Sequence, residues 1–76
     1  MKTVILTYFA DNVKAHMLQD ILHNEGIECM LQGETINQVL SYLHGFEIQV
    51  LVGEKDIEQA KLILKESFPE APIVHS

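Results

Sequence analysis

Three side chains on one predicted helix, His16, Asp20 and His23, stand at i, i+4 and i+7. On a helix that spacing collects two imidazoles and a carboxylate on one face, a set that could hold a divalent ion such as zinc. The same wheel puts them opposite a stripe of Val13, Met17 and Ile21, on the side that meets solvent, so a solvated polar face is the simpler reading and no metal site is expected. Cys29 is the only thiol. A nucleophilic cysteine needs an exposed, electropositive setting, whereas Cys29 falls on the inward phase of a predicted strand in an acidic chain with no base beside it. It reads as a small buried hydrophobe. Gly33-Glu34 could open a ligand loop, but a turn after a strand requires such residues in any case. The carboxylate pairs Glu25/Glu28 and Glu66/Glu70 fall at helix ends and read as solubility. No glycine-rich dinucleotide fingerprint and no phosphate-binding P-loop motif is present. No catalytic residue, cofactor or metal is assigned, and the chain is expected not to be an enzyme.

The densest aromatic and apolar stretch outside the expected core runs from Leu40 to Phe46. Leu40, Tyr42, Leu43, His44 and Phe46 are the candidate binding residues. They can pack against their own domain, meet another chain as amphipathic helices do in grooves and across dimer axes, or line a small-molecule pocket.

The elements that must position these residues follow from periodicity. Thr3 to Phe9 is β-branched and aromatic without a breaker, predicting a strand with Val4, Leu6 and Tyr8 on one side and Ile5 on the other. Asp11 or Asn12 can cap a helix in which Val13, Met17, Leu18, Ile21 and Leu22 recur at three- and four-residue spacing, with Gly26 as the stop. From Ile27 to Gln32 the period changes to two, with Ile27, Cys29 and Leu31 inward. Thr35 to Gln38 has the form of a capping box, and Ile36, Val39, Leu40 and Leu43 predict a short middle helix ending at Gly45. Phe46 to Val52 alternates again and predicts a third strand. Residues 54–67 predict a last helix, and Pro69 and Pro72 end regular structure. The tail from Ile73 adds an edge strand or frays.

The order β-α-β-(short α)-β-α predicts an α+β fold. Right-handed crossover makes the first two strands parallel with the third antiparallel between them, a ferredoxin-like split βαβ with helices on one face of a three-stranded sheet. Residues 1–68 form one domain and 69–76 a C-terminal tail. The other sheet face would carry Thr3, Ile5, Thr7, Glu28, Met30, Gln32, Glu47, Gln49 and Leu51. Its centre of Ile5, Met30 and Leu51 leaves apolar area in water unless the middle helix or a partner covers it.

At 76 residues one core is all the length allows, and so short a chain buries only about 60% of its unfolded surface, leaving stability marginal without help such as self-association. Five lysines and no arginine against eleven acidic residues give a net charge of −6, which repels phosphate backbones and anionic membranes. Nucleic acid and membrane are not expected partners. A single cysteine and no apolar leader after Met1-Lys2 predict a cytoplasmic protein.

With Ala15-His16 and Leu22 in the first helix, Gly26-Ile27, Gly33-Glu34, and Val50, Val52, Asp56, Ala60 and Ile63-Leu64 towards the end, the chain resembles a family of small bacterial signal-transducing proteins once catalogued as a domain of unknown function. The resemblance covers most of the chain. That family is similar to nitrogen-regulatory PII-like proteins in being a small ferredoxin-like domain. Between the second and third strands this chain departs from the family pattern, carrying the amphipathic segment 35–44 where a proline-bearing loop is usual. Two functions stay open: a non-catalytic regulatory or protein-interaction module, meeting a protein partner or itself as a homodimer, and a small-ligand sensor of PII-like type with its ligand near residues 33–45.

Overall fold

The computed structural model describes residues 2–33 and 48–74. The predicted middle helix, and with it Leu40, Tyr42, Leu43, His44 and Phe46, lies outside the described residues.

The described chain runs β1 (Thr3–Phe9), α1 (Asn12–Asn24), β2 (Cys29–Gln32), β3 (Ile48–Gly53), a 3-10 turn (Glu54–Asp56) and α2 (Ile57–Ser67). The strand order is β1-β3-β2, and β3 pairs antiparallel with both neighbours. β1 and β2 are therefore parallel with β3 inserted between them, the α+β arrangement of a small ferredoxin-like fold. Leu18 and Leu22 of α1 and Ala60 and Leu64 of α2 share one buried cluster with Leu6, Val50 and Val52, so both helices lie on the same sheet face.

Local chemistry explains the helix ends. Asp11 caps α1, its carboxylate accepting from the Val13 N–H at 2.8 Å, which satisfies one of the orphan donors of the first turn. At the other end the Ile27 N–H donates to the Leu22 carbonyl at 2.9 Å and the Gly26 N–H to that of His23 at 3.0 Å. This is a Schellman cap, and it requires the left-handed φ of 82° that Gly26 adopts. Its apolar clasp is Leu22 against Ile27, both in the core. The predicted helix over 54–67 opens with a 3-10 turn before α2 proper.

The first correction concerns β1. Ile5 opposes Leu51 but Thr7 opposes Val50, so one extra residue, Leu6, is accommodated as a β-bulge. The bulge resets the alternation. Leu6 and Thr7 are both buried, Phe9 opposite Ile48 turns into the core, and Tyr8, expected inside, moves to the other face opposite Gln49. Phe9 then meets Phe68 edge to face, with ring centroids 5.2 Å apart. That contact anchors the end of α2, from which the tail turns back along β1. The Thr7 hydroxyl donates to the Pro72 carbonyl at 2.6 Å and the Val74 N–H to the Leu6 carbonyl at 2.9 Å. As the tail advances, its partners step backwards along β1. Residues 72–74 thus lie as a short antiparallel strap on that edge, not as a full strand.

The second correction concerns α1. Its buried residues are Ala15, Leu18 and Leu22, while Val13 and Met17, expected inward, are 66% and 50% exposed. Leu18 and Leu22, both named in the predicted set, are buried, and the core takes Ala15 in place of Val13 and Met17. β2 is also shorter than predicted, beginning at Cys29, although Ile27 is buried as expected.

Candidate functional site

The sheet face turned away from the helices is built in cross-strand rows. Ile5, Leu51 and Met30 form one, since Leu51 opposes Ile5 on β1 and Met30 on β2. Tyr8, Gln49 and Gln32 form the next, and Thr3 beside Gly53 the third. Ile5 and Leu51 are half-buried and Met30 is 57% exposed. Strand alternation explains the composition: Val50 and Val52 go inward, so Gln49 and Leu51 must go outward. None of these outward positions on the described strands carries a charge. Of the residues predicted for this face, Thr3, Ile5, Met30, Gln32, Gln49 and Leu51 lie on it, and Glu28, exposed just before β2, lines the concavity at its Thr3 end. Thr7 left it through the bulge, Tyr8 joined it, and Glu47 is outside the described residues.

At the Thr3 end of the face a concavity of about 280 Å³ is lined by Thr3, Met30 and Leu51 and rimmed by Glu28, Lys55 and Asp56. A second, of about 380 Å³, lies between the end of β1 and the turn after α2, where Phe9, Lys14, Phe68 and Glu70 are among its walls.

His16, Asp20 and His23 are all exposed on α1, and among the described residues no three histidine, cysteine or acidic side chains come together as a metal-holding group. Cys29 is buried on the core side of β2, and desolvation raises its thiol from an ordinary 9.0 to about 11. A thiol so raised is protonated at neutral pH and is a poor nucleophile. The Cys29 carbonyl accepts from the Gln19 side chain at 3.0 Å, tying α1 to β2. Gly33 follows β2 with a φ of 93°, which suits the turn reading made for it. Glu25, Glu28, Glu66 and Glu70 are all exposed. Among the described residues no helix is long and apolar enough to cross a membrane.

The architecture is thus that of a small ferredoxin-like α+β domain with one sheet face turned away from the two helices of the described residues. The chain belongs to the family described as "putative prokaryotic signal transducing protein", whose model matches residues 1–67. No curated protein and no solved structure matches it. The family match stops where α2 ends, so the strap at 72–74 lies beyond the matched residues.

Proposed function

We propose that the chain is a non-catalytic regulatory module of prokaryotic signalling that acts by protein interaction, with the open sheet face as the contact surface. The observation that carries this reading is the row Ile5–Leu51–Met30, aligned by register on a face that neither helix covers. Apolar side chains aligned in this way favour a protein contact, because covering them removes apolar area from water. The family description supports a signalling role. Scattered exposed histidines and a protonated buried thiol make poor material for a reaction centre, which supports a role without catalysis. The single cysteine suits a reducing cytoplasm.

The test is affinity capture from a prokaryotic cell extract with the wild type and with Met30→Glu. A polypeptide retained by the first and lost from the second supports the reading. If neither binds any polypeptide and the chain does not associate with itself, the reading fails.

A second reading, sensing of a small ligand, has the concavity at Thr3, Met30 and Lys55 in its favour. Its volume is just under the range of about 300–1,000 Å³ common for ligand pockets. This reading expects a saturable rise in melting temperature with ligand at fixed protein concentration.

A further inference from the structure

We propose that the outer edge of β1 is a strand-addition site for an extended polypeptide segment, held closed by the chain's own residues 72–74. The site is the margin of the sheet and not its open face, so it goes beyond the interaction reading above and stands or falls separately from it.

The strap itself shows what the edge accepts. In the order β1-β3-β2 one side of β1 pairs with β3 and the other is the sheet margin. On that margin the Val74 N–H donates to the Leu6 carbonyl at 2.9 Å, and the Thr7 hydroxyl donates to the Pro72 carbonyl at 2.6 Å. A main chain running antiparallel to β1 is therefore already seated there. Peptides add to exposed sheet edges in this way, with main-chain bonds supplying affinity and alternate side chains supplying specificity. The other margin is a weaker candidate, because β2 has four residues against the seven of β1 and its Cys29 carbonyl already accepts from the Gln19 side chain at 3.0 Å.

By its own chemistry the strap is a poor occupant. An antiparallel segment turns the main-chain groups of every second residue towards its neighbour. Two positions before Val74 stands Pro72, which has no N–H to donate. The Ala71 N–H is used inside the preceding turn, on the Phe68 carbonyl at 3.0 Å. Ile73 and Val74 remain 36% and 43% exposed, so seating them buries little apolar surface. A segment with an ordinary residue in the Pro72 position brings one more donor and loses none. What the strap has in its favour is attachment: a tethered segment is present at high effective concentration, so weak contacts keep the edge closed until a better ligand displaces them. The ligand class is thus an extended segment without proline at that position, and the tail sets the threshold for its binding.

Titration of the full-length, isotope-labelled chain with two synthetic peptides tests this: residues 70–76 of its own sequence, and the same peptide with Pro72→Val. Wild type and Val74→Pro are compared. Val74→Pro removes the strap's donor, favours an extended Ile73 and changes an exposed residue, so the variant is expected to fold. The expected result is saturable shifts of the Leu6 and Thr7 amides, with the Pro72→Val peptide the tighter of the two. Val74→Pro should bind it about tenfold or more tightly than wild type does, since a closed site weakens apparent affinity by the fraction of time it is open. In the wild type, saturating peptide should also move the Val74 amide signal to its position in an unfolded chain, because the strap has left. Equal affinity in wild type and Val74→Pro overturns the inference, since the strap then guards nothing. So does a peptide that shifts β2 or α1 without β1, one that leaves Val74 in place, or the lack of any shift at millimolar peptide in Val74→Pro. Met30-dependent capture reads the open face alone, so each failure can be told from the other.

Discussion

The hydroxyl of Thr7, wholly buried within β1, donates to the carbonyl of Pro72 at 2.6 Å and so joins two residues 65 positions apart. The bond exists because the bulge at Leu6 turns Thr7 out of the alternation that would have placed it on the open face. The Leu6 carbonyl, at the same bulge, takes the Val74 N–H. One backbone irregularity thus orients the hydroxyl and frees the carbonyl, fixing the strap at two points, and presents Phe9 to Phe68 at the end of α2. Strands at a sheet edge expose unpaired main-chain groups to other chains, and 72–74 covers part of that row on β1.

Thr7→Val keeps the side chain's shape and removes the donor. The expected loss is about 1 kcal/mol in chemical denaturation, the usual worth of one hydrogen bond. Amide exchange at Val74 should quicken by more than global stability accounts for, because the strap opens locally before the core does. Equal acceleration at Val74 and at core amides of β3 would mean that the strap has no separate opening.

Gly26 stands in a left-handed conformation with open space where a Cβ would be placed, so an added methyl meets backbone strain and no neighbouring atom. Gly26→Ala should cost about 1–2 kcal/mol. Gly26→Asn should cost less, since asparagine tolerates that region better. A cost for Gly26→Ala within measurement error in urea titration would remove the strain argument.

Burial raises the Cys29 thiol from 9.0 to about 11, and the sign of the linked stability follows. The folded state holds the proton more tightly than the unfolded state. The contribution is therefore fully present below pH 9 and is lost as pH rises from about 9 to about 11. Its size is on the order of 2 kcal/mol. The quantity to measure is the stability of wild type minus that of Cys29→Ala, in which contributions common to both chains cancel. This difference should narrow with rising pH by an amount of that order. In parallel, an aromatic disulfide reagent at pH 8 should react with the native thiol far more slowly than with the urea-unfolded one.

The split βαβ order was legible because each period change falls at a turn residue: helix to strand at Gly26-Ile27, and strand to helix beyond Gly53. Schellman geometry follows almost directly from Leu22, Gly26 and Ile27. The bulge was not legible. Thr3 to Phe9 is apolar, aromatic or β-branched throughout, so the pattern contains no charged or amide side chain whose misplacement would reveal a phase shift, and the long-range partners Pro72 and Val74 accompany the shift. The open face was read from the alternation of β2 and β3, where glutamines mark the outward phase. Leu40, Tyr42, Leu43, His44 and Phe46 stay as the sequence left them, outside the described residues.

The phase of α1 provides the last test, because two apolar sets compete for the same helix. Val13 and Met17 recur at the spacing of a core stripe, yet Ala15, Leu18 and Leu22 are the ones with no exposed surface. Solvent-facing substitutions away from special features usually change stability by less than about 0.5 kcal/mol, whereas leucine-to-alanine truncation in a packed core costs about 2–5 kcal/mol. Met17→Lys should therefore be nearly silent and Leu18→Ala severe enough to unfold much of so small a domain. Thermal and urea unfolding of the two variants, followed by circular dichroism, separates the alternatives. If Met17→Lys were the damaging change, α1 would have to be rotated about its axis by nearly half a turn. Gln19 would then lose the Cys29 carbonyl, and α1 would have a different footing on β2.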